Sequence, residues 1–422
     1  MVTAAASTAT APASDLAERY LTVRRRSAEL ARPLSAEDAA IQTMDDVSPT
    51  KWHLAHTTWF FETFVLAKAY SDYEQHHPSY GYLFNSYYNS VGTMHPRPRR
   101  GLLSRPSLDE VYEYRAAVDG RMVELLDGID DATAAVVRLG IEHEQQHQEL
   151  LLTDIKHVLA ANPLDPAYRT DLATGEPNAA GRQRWLDFDE GLRELGHDGE
   201  GFSFDNEGPR HSRFQQPFRI ASRPVTNGEY REFIDDGGYR RPELWLSDGW
   251  IRCGRDGWQA PLYWRRHDDD WAVFSLGGLR ALADDEPVCH VSFYEADAFA
   301  TWAERRLPGE DEWEVAVDGL AADGNYADDD ALHPQAAPTG DGFVQAYGDV
   351  WEWTRSPYGP YPGYRPVEGA LGEYNGKFMA NQMVLRGGSC ATPAGHVRAT
   401  YRNFFPPDAR WQFSGIRLAD DG

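Results

Sequence analysis

A chain of 422 residues, 41% apolar and 12% aromatic, is long enough for two or three domains, each with its own hydrophobic core. A formal net charge of −25 argues against nucleic acid or an anionic membrane surface as partner, because either would repel it. Cys253, Cys289 and Cys390 are too few and too scattered for a disulfide framework or a thiolate zinc knot.

Residues 1–14 are rich in Ala, Thr and Ser and lack the basic start and apolar centre of a secretion signal, so they read as a disordered leader and the expected compartment is the cytoplasm. The pattern over 15–162 is helical. Ser14-Asp15 is placed to cap a first helix through Ala31, and Ser35 a short second one. Ser48-Pro49 opens a third helix with a cap residue and a first-turn proline. Its continuation, Trp59 to Tyr70, is the densest apolar patch in the chain, but Glu62, Thr63 and Lys68 interrupt it well short of a bilayer span. Ser107-Leu108-Asp109-Glu110 is a capping-box pattern for a fourth helix to about Asp127, and a last one runs from near Asp131 to Asn162-Pro163. Four substantial helices predict an antiparallel bundle, a fold that builds metal sites from inward-facing side chains.

Residues 163–184, rich in Pro, Gly, Ala and Asp, read as a linker. Residues 185–422 mix short apolar runs, many tryptophans, glycines and prolines with two expected helices, Phe293 to Arg305 and Gly309 to Asp318, as a loop-rich α+β domain would.

The chemistry concentrates in two helical segments. His143 and His147 are four residues apart and share a stripe with Val136, Gly140, Leu150, Leu151, Asp154 and Val158, so both imidazoles face the bundle interior about one turn apart and are able to bind one ion. Trp52, Ala55, His56, Trp59 and Thr63 form a similar stripe, which makes His56 the first candidate for a third ligand, with His53 close behind. A lone histidine on an apolar face is usually a packed core residue; the i, i+4 pair raises the case for a metal. The same stretch satisfies H-E-x-x-H, in which Glu144 would be the general base of a zinc peptidase. Three imidazoles without a carboxylate suit zinc for hydrolysis or iron(II) for oxygen chemistry, and ligand type alone does not choose.

Ser48 to Glu62 and Glu142 to Glu149 resemble the DinB-like domain of the ergothioneine-pathway sulfoxide synthases, also called hercynine oxygenases. The C-terminal half is similar to the formylglycine-generating-enzyme fold, a C-type-lectin-like architecture, at Pro224 to Asn227, Arg306 to Glu314, Gly348 to Thr354 and Leu385 to Ser389. The resemblance implies an α bundle followed by an α+β domain. It also implies a nonheme iron(II) enzyme that uses O2 to join a thiol to C2 of the imidazole of hercynine, N-trimethylhistidine, and to oxygenate the sulfur. Iron would sit on His56, His143 and His147, and Gln146 would hydrogen-bond the hercynine imidazole. Tyr87 and Tyr88 match the tyrosine pair of the cysteine-using branch, where a phenol delivers a proton as charge builds on oxygen. Arg97 and Arg100 resemble the carboxylate-binding arginines. Asn403 and Phe404 align with the betaine contacts, an aromatic face suiting a trimethylammonium group, whereas Phe405 replaces a family aspartate and so favours cysteine over γ-glutamylcysteine. Only Cys390 follows the R-G-G-S segment, so the C-terminal domain lacks the cysteine pair of formylglycine chemistry and would act as a lid over the iron at a domain junction. The alternatives are coupling of hercynine to a selenosugar, the zinc peptidase, and a noncatalytic metal-binding DinB-like protein.

Overall fold

The computed structural model describes residues 13–173, 180–268, 270–338 and 342–422. The expected leader lies outside these residues except for Ala13 and Ser14, which begin the first helix, and part of the expected linker, residues 174–179, lies outside them as well. The chain divides into two compact units. The first holds the described residues up to Ile155 together with two later segments, His197–Asp205 and Val367–Tyr374; the second holds the remainder.

Among the described residues the first unit is built on its four longest helices: α1 (Ala13–Ala31), α2 (Thr50–Phe61), α3 (Leu108–Leu126) and α4 (Asp131–Ala160, of which residues to Ile155 belong here). The α3 start is the expected capping box, with the Glu110 amide donating to Ser107 Oγ at 3.2 Å and the Ser107 amide to Glu110 Oε2 at 2.6 Å. At α2 the structure departs from expectation. Pro49 occupies the cap position without a side-chain bond, the helix begins at Thr50, and the Ser48 amide donates instead to Asp154 Oδ2 at 2.8 Å. Nor does α2 present one stripe, for every residue from Thr50 to Phe61 is buried, as in a helix surrounded by partners on all sides. Its charged neighbours are accommodated by hydrogen bonds. Lys51 Nζ donates to the carbonyls of Leu103 and Pro106 at 2.7 and 3.0 Å, and Glu62 accepts from Tyr114 Oη at 2.5 Å and from the His76 amide at 2.8 Å. Past Phe61 the helix widens into a π-helical turn, Glu62–Leu66.

Close approach of α4 to α2 depends on Gly140. A Cβ at that position would lie 2.5 Å from Phe61 Cε1 and 2.8 Å from Phe60 Cε1, so only glycine lets the helices meet here, one turn before His143.

Among the described residues the second unit has twelve short strands in four small sheets. β1 (Trp185–Phe188), β4 (Phe218–Ala221) and β12 (Ala419–Asp421) form one, in the order β1-β4-β12. β2 (Gly191–Leu195) pairs with β3 (His211–Gln215), and β5 (Trp264–His267), β6 (Asp270–Ser275) and β7 (Gly278–Ala281) make a meander. The fourth sheet runs β10 (Asn403–Phe405), β9 (Met383–Arg386), β8 (Trp351–Pro357), β11 (Ser414–Gly415); β8 and β11 are parallel and all other pairs antiparallel. Four helices accompany the strands: α5 (Asn227–Asp235), α6 (Ser247–Asp256), α7 (Phe293–Trp302) and α8 (Glu310–Ala316). The α7 helix stops before Arg305 because Glu304 turns left-handed at φ 56° and the Arg305 amide closes back on the Ala300 carbonyl. The unit is thus α+β and rich in connecting loops. Among the described residues no helix is long and apolar enough to cross a membrane.

Candidate metal centre

Helices α2 and α4 bring His56, His143 and His147 together, with one nitrogen from each ring lying within 4.8 Å of the others. His56 and His143 are shut off from solvent, and His147 is only 9% exposed. Burial pushes all three imidazoles down, His143 to about 3 even with Glu144 beside it, and mutual repulsion adds to the effect at His56 and His147. The rings are therefore neutral and carry lone pairs at neutral pH.

Hydrogen bonds decide where those lone pairs point. His56 Nδ1–H donates to the Phe84 carbonyl at 2.5 Å, which leaves Nε2 as the acceptor atom, and this Nε2 lies 3.2 Å from His143 Nε2. The Trp52 ring lies parallel to the His56 ring, with centroids 4.6 Å apart and 11° between planes, and holds it in that attitude. His143 Nδ1 is buried without a partner among the described residues. Two nitrogens 3.2 Å apart, each about 2.1 Å from one ion, subtend an angle of about 100°, which four- and six-coordinate ions both accept. The donor set therefore fits a divalent transition ion. It contains no carboxylate.

His53, weighed as a possible ligand, falls outside this group. Its Nδ1 lies 2.9 Å from His147 Nδ1 and its Nε2 3.0 Å from Asp154 Oδ2, so it stands behind His147. Glu144 is also turned aside. Its carboxylate takes Arg24 Nη1 at 2.8 Å and Arg115 Nη2 at 2.9 Å, and although burial alone would raise it, the two guanidinium groups hold it down at about 2. A carboxylate so committed has neither the position nor the basicity of a general base, so the H-E-x-x-H pattern is not a peptidase site here.

The other expected residues separate. Arg100 is buried, its guanidinium 3.4 Å from the Trp52 ring centroid, and donates to Ser48 Oγ at 2.9 Å and Ser86 Oγ at 3.1 Å. Burial, helped by nearby Arg97, lowers it to about 8, and it forms no ion pair among the described residues. Arg97 instead is exposed and donates to the Asp46 carbonyl, because it begins the 3-10 helix Arg97–Leu102 at the surface; the expected arginine pair is in practice one inward-facing arginine. Tyr88 is fully buried, its ring 5.8 Å from Trp59 and 4.9 Å from Phe64, while half-buried Tyr87 lies 4.7 Å from Tyr88. Burial raises both phenols. Asn403 and Phe404 belong to the second unit, on β10, where Phe404 stacks on Tyr358 with centroids 4.0 Å apart and its amide donates to Asn403 Oδ1 at 2.9 Å.

One site residue has no sequence signal. Tyr374, in the segment Val367–Tyr374 of the first unit, puts its ring 5.6 Å from His143 and donates its hydroxyl to Gln146 Oε1, with Phe204 stacked on its ring and Tyr87 edge-on 6.1 Å away. Gln146, expected to hydrogen-bond a substrate imidazole, here accepts from a phenol that lies far along the chain. Asp154 shares the His143 and His147 stripe, and that periodicity was the only available clue to its role.

The chain is similar to known proteins in both of its parts. The DinB superfamily matches residues 19–151, and the sulfatase-modifying factor enzyme 1-like domain matches residues 185–345 and 337–422. The hercynine oxygenase of Mycolicibacterium thermoresistibile is 32% identical, covering 97% of this chain and 95% of its own. That of Mycolicibacterium smegmatis is 33% identical over 96% and 98%, and that of Mycobacterium tuberculosis 34% over 78% and 81%. With both domain types matched in this order and three such relatives similar along most of their length, the chain belongs to the hercynine oxygenase family.

Proposed function

We propose that this protein uses iron(II) and O2 to couple cysteine through sulfur to C2 of the hercynine imidazole, giving hercynylcysteine sulfoxide. The convergence of three neutral imidazoles without a carboxylate carries this reading. One C–H and one S–H bond are lost and a C–S bond forms; one oxygen atom of O2 ends on sulfur and the other leaves as water with the two hydrogens. Iron(II) held by His56, His143 and His147 would supply the one-electron chemistry between O2 and a thiolate.

The chain's own residues then bind, orient and protonate. Arg100, a buried guanidinium without a carboxylate partner, receives the carboxylate of the thiol substrate, and its seat over Trp52 sets that carboxylate beside the imidazole cluster. A selenosugar has no carboxylate to fill this position, which favours cysteine. Arg97, at the surface, has no part in it. Tyr374 and Gln146, already hydrogen-bonded to each other, form the wall against which the hercynine imidazole is oriented. Tyr87 and Tyr88, kept protonated by burial, remain proton donors at neutral pH, and Tyr374 joins them as a third phenol at the site. Asn403 and Phe404 are assigned to the betaine end of hercynine on family resemblance.

The test is anaerobic loading with iron(II), addition of hercynine and cysteine, and then admission of O2. The expected result is hercynine-dependent O2 uptake and a product with the summed mass of both substrates plus one oxygen less two hydrogens. Oxygen uptake indifferent to hercynine would overturn the assignment, and a preference for selenosugar over cysteine would replace the donor.

A further inference from the structure

The first unit contains a hydrogen-bonded chain leading away from the metal centre: His147 Nδ1 to His53 Nδ1 at 2.9 Å, His53 Nε2 to Asp154 Oδ2 at 3.0 Å, and the Ser48 amide to the same Asp154 oxygen at 2.8 Å. Every member is buried, the side chains of His53 and Asp154 each being 4% exposed. The chemistry of the two ends sets the direction of every proton between them. The carboxylate oxygen accepts from His53 Nε2–H, so His53 Nδ1 carries a lone pair. That lone pair accepts from His147 Nδ1–H, and His147 is left with its lone pair on Nε2.

We propose that His53 and Asp154 are positioning residues for the metal centre, selecting the tautomer and the ring orientation in which His147 offers Nε2 to the ion. The inference rests on reading the three imidazoles as a metal site. It explains why an imidazole and a carboxylate lie buried beside the cluster without belonging to it. It also gives His147 the same device that the Phe84 carbonyl gives His56, with a stronger acceptor: the carboxylate works through an imidazole and raises the donor strength of the ligand behind which it stands. Deletion of such outer partners typically costs about 10–100-fold in metal affinity. The Ser48 amide, anchored where a helix cap was expected, keeps the Asp154 oxygen aimed at His53.

The experiment measures cobalt(II) dissociation constants by chelator competition and records the ligand-field spectrum of the full-length protein, for wild type, His143→Ala, His53→Phe, His53→Gln, Asp154→Ala and Asp154→Asn. Wild type is expected to bind cobalt and His143→Ala to lose it; failure of either would overturn the metal-site reading itself and the inference with it. With the site established, His53→Phe and Asp154→Ala should bind about 10–100-fold more weakly with a shifted spectrum. His53→Gln, whose amide oxygen can still accept from His147 Nδ1–H, should recover much of the loss, and Asp154→Asn, which keeps an oxygen but removes the charge, should fall between. Affinities within about twofold of wild type in all four outer variants, with the His143→Ala control behaving as expected, would overturn the inference alone. Where a truncation fails to fold, the near-isosteric His53→Gln and Asp154→Asn decide it by the same criterion.

Discussion

Three buried arginines of the second unit are paired with carboxylates, whereas the fully buried Lys156 there meets only an imidazole, its Nζ 2.7 Å from His290 Nε2. Arg417 and Glu352, both completely buried, meet with Nε 2.8 Å from Oε1, Arg386 reaches Glu314 at 2.8 Å, and Arg402 reaches Glu310 at 2.8 Å. In the first unit the Arg24–Glu144–Arg115 cluster follows the same rule, but the three imidazoles and Arg100 do not. The imidazole nitrogens face one another, the Phe84 carbonyl and the His53 ring, and Arg100 donates to two hydroxyls, none of them in an ion pair with a carboxylate among the described residues. Burying an ionisable group is tolerated where its partner is buried with it, so the paired charges belong to the scaffold. Groups stripped of water and left without a counter-charge are places where a ligand can complete the pairing, and the bundle brings three imidazoles and one guanidinium of that kind close together.

The most severe way to break this contrast is His143→Ala, expected to reduce metal binding and hercynine-dependent O2 uptake to background while the buried ion pairs of the second unit stay intact; atomic emission analysis and an oxygen electrode read the two quantities. Next is acid. The native imidazoles are held below the ordinary value of about 6.5, His143 at about 3, so below 6.5 the unfolded chain takes up protons that the metal-free native protein refuses. The unfolding free energy of the metal-free protein should therefore fall as pH drops from about 6.5 towards 3, and urea titrations across that interval showing a flat profile would contradict it.

Glu352→Gln is the complementary cut, leaving Arg417 charged and unpaired. It should cost about 3–5 kcal/mol in urea unfolding without changing the metal affinity of protein that remains folded. Gly140→Ala should cost about 1–3 kcal/mol by forcing a methyl group into the Phe60 and Phe61 rings, and should weaken metal binding as well, because the same contact sets the distance from α4 to α2. The smallest effect on stability is expected for Tyr374→Phe, about 1 kcal/mol or less for one lost hydrogen bond; its signature is instead a change in the ratio of coupled product to oxidised thiol, read by mass spectrometry.

Local signals in the sequence located the bundle well. The Ser107 capping box, the α4 boundaries and the spacing of His143 and His147 each depend on residues within a few positions of one another, and each reappears in the structure. What escaped depends on distant partners. Lys51 and Glu62 mark α2 as half exposed until the carbonyls of Leu103 and Pro106 and the Tyr114 hydroxyl are seen to satisfy them. Helix α6 carries Gly249 and Gly254 and lacks a side-chain cap, so nothing local announces it; Gly249 is needed because a Cβ there would lie 2.7 Å from Tyr294. Within the short helix Arg97–Leu102 only Arg100 is buried, while Arg97 and Leu102 at its two ends are exposed, and spacing alone does not encode that.

Because the segment Val367–Tyr374 belongs to the bundle unit, the bundle is not a contiguous stretch of the gene. During synthesis the ribosome releases all three imidazoles long before it reaches Tyr374. The nascent chain thus holds all three clustered histidines while the phenol that faces His143 and Gln146 has yet to be made. A fragment ended after α4 would be in the same condition permanently, with the three histidines and without Tyr374. Enzyme engineers who trim this protein to its helices would be keeping the anvil and discarding the hammer.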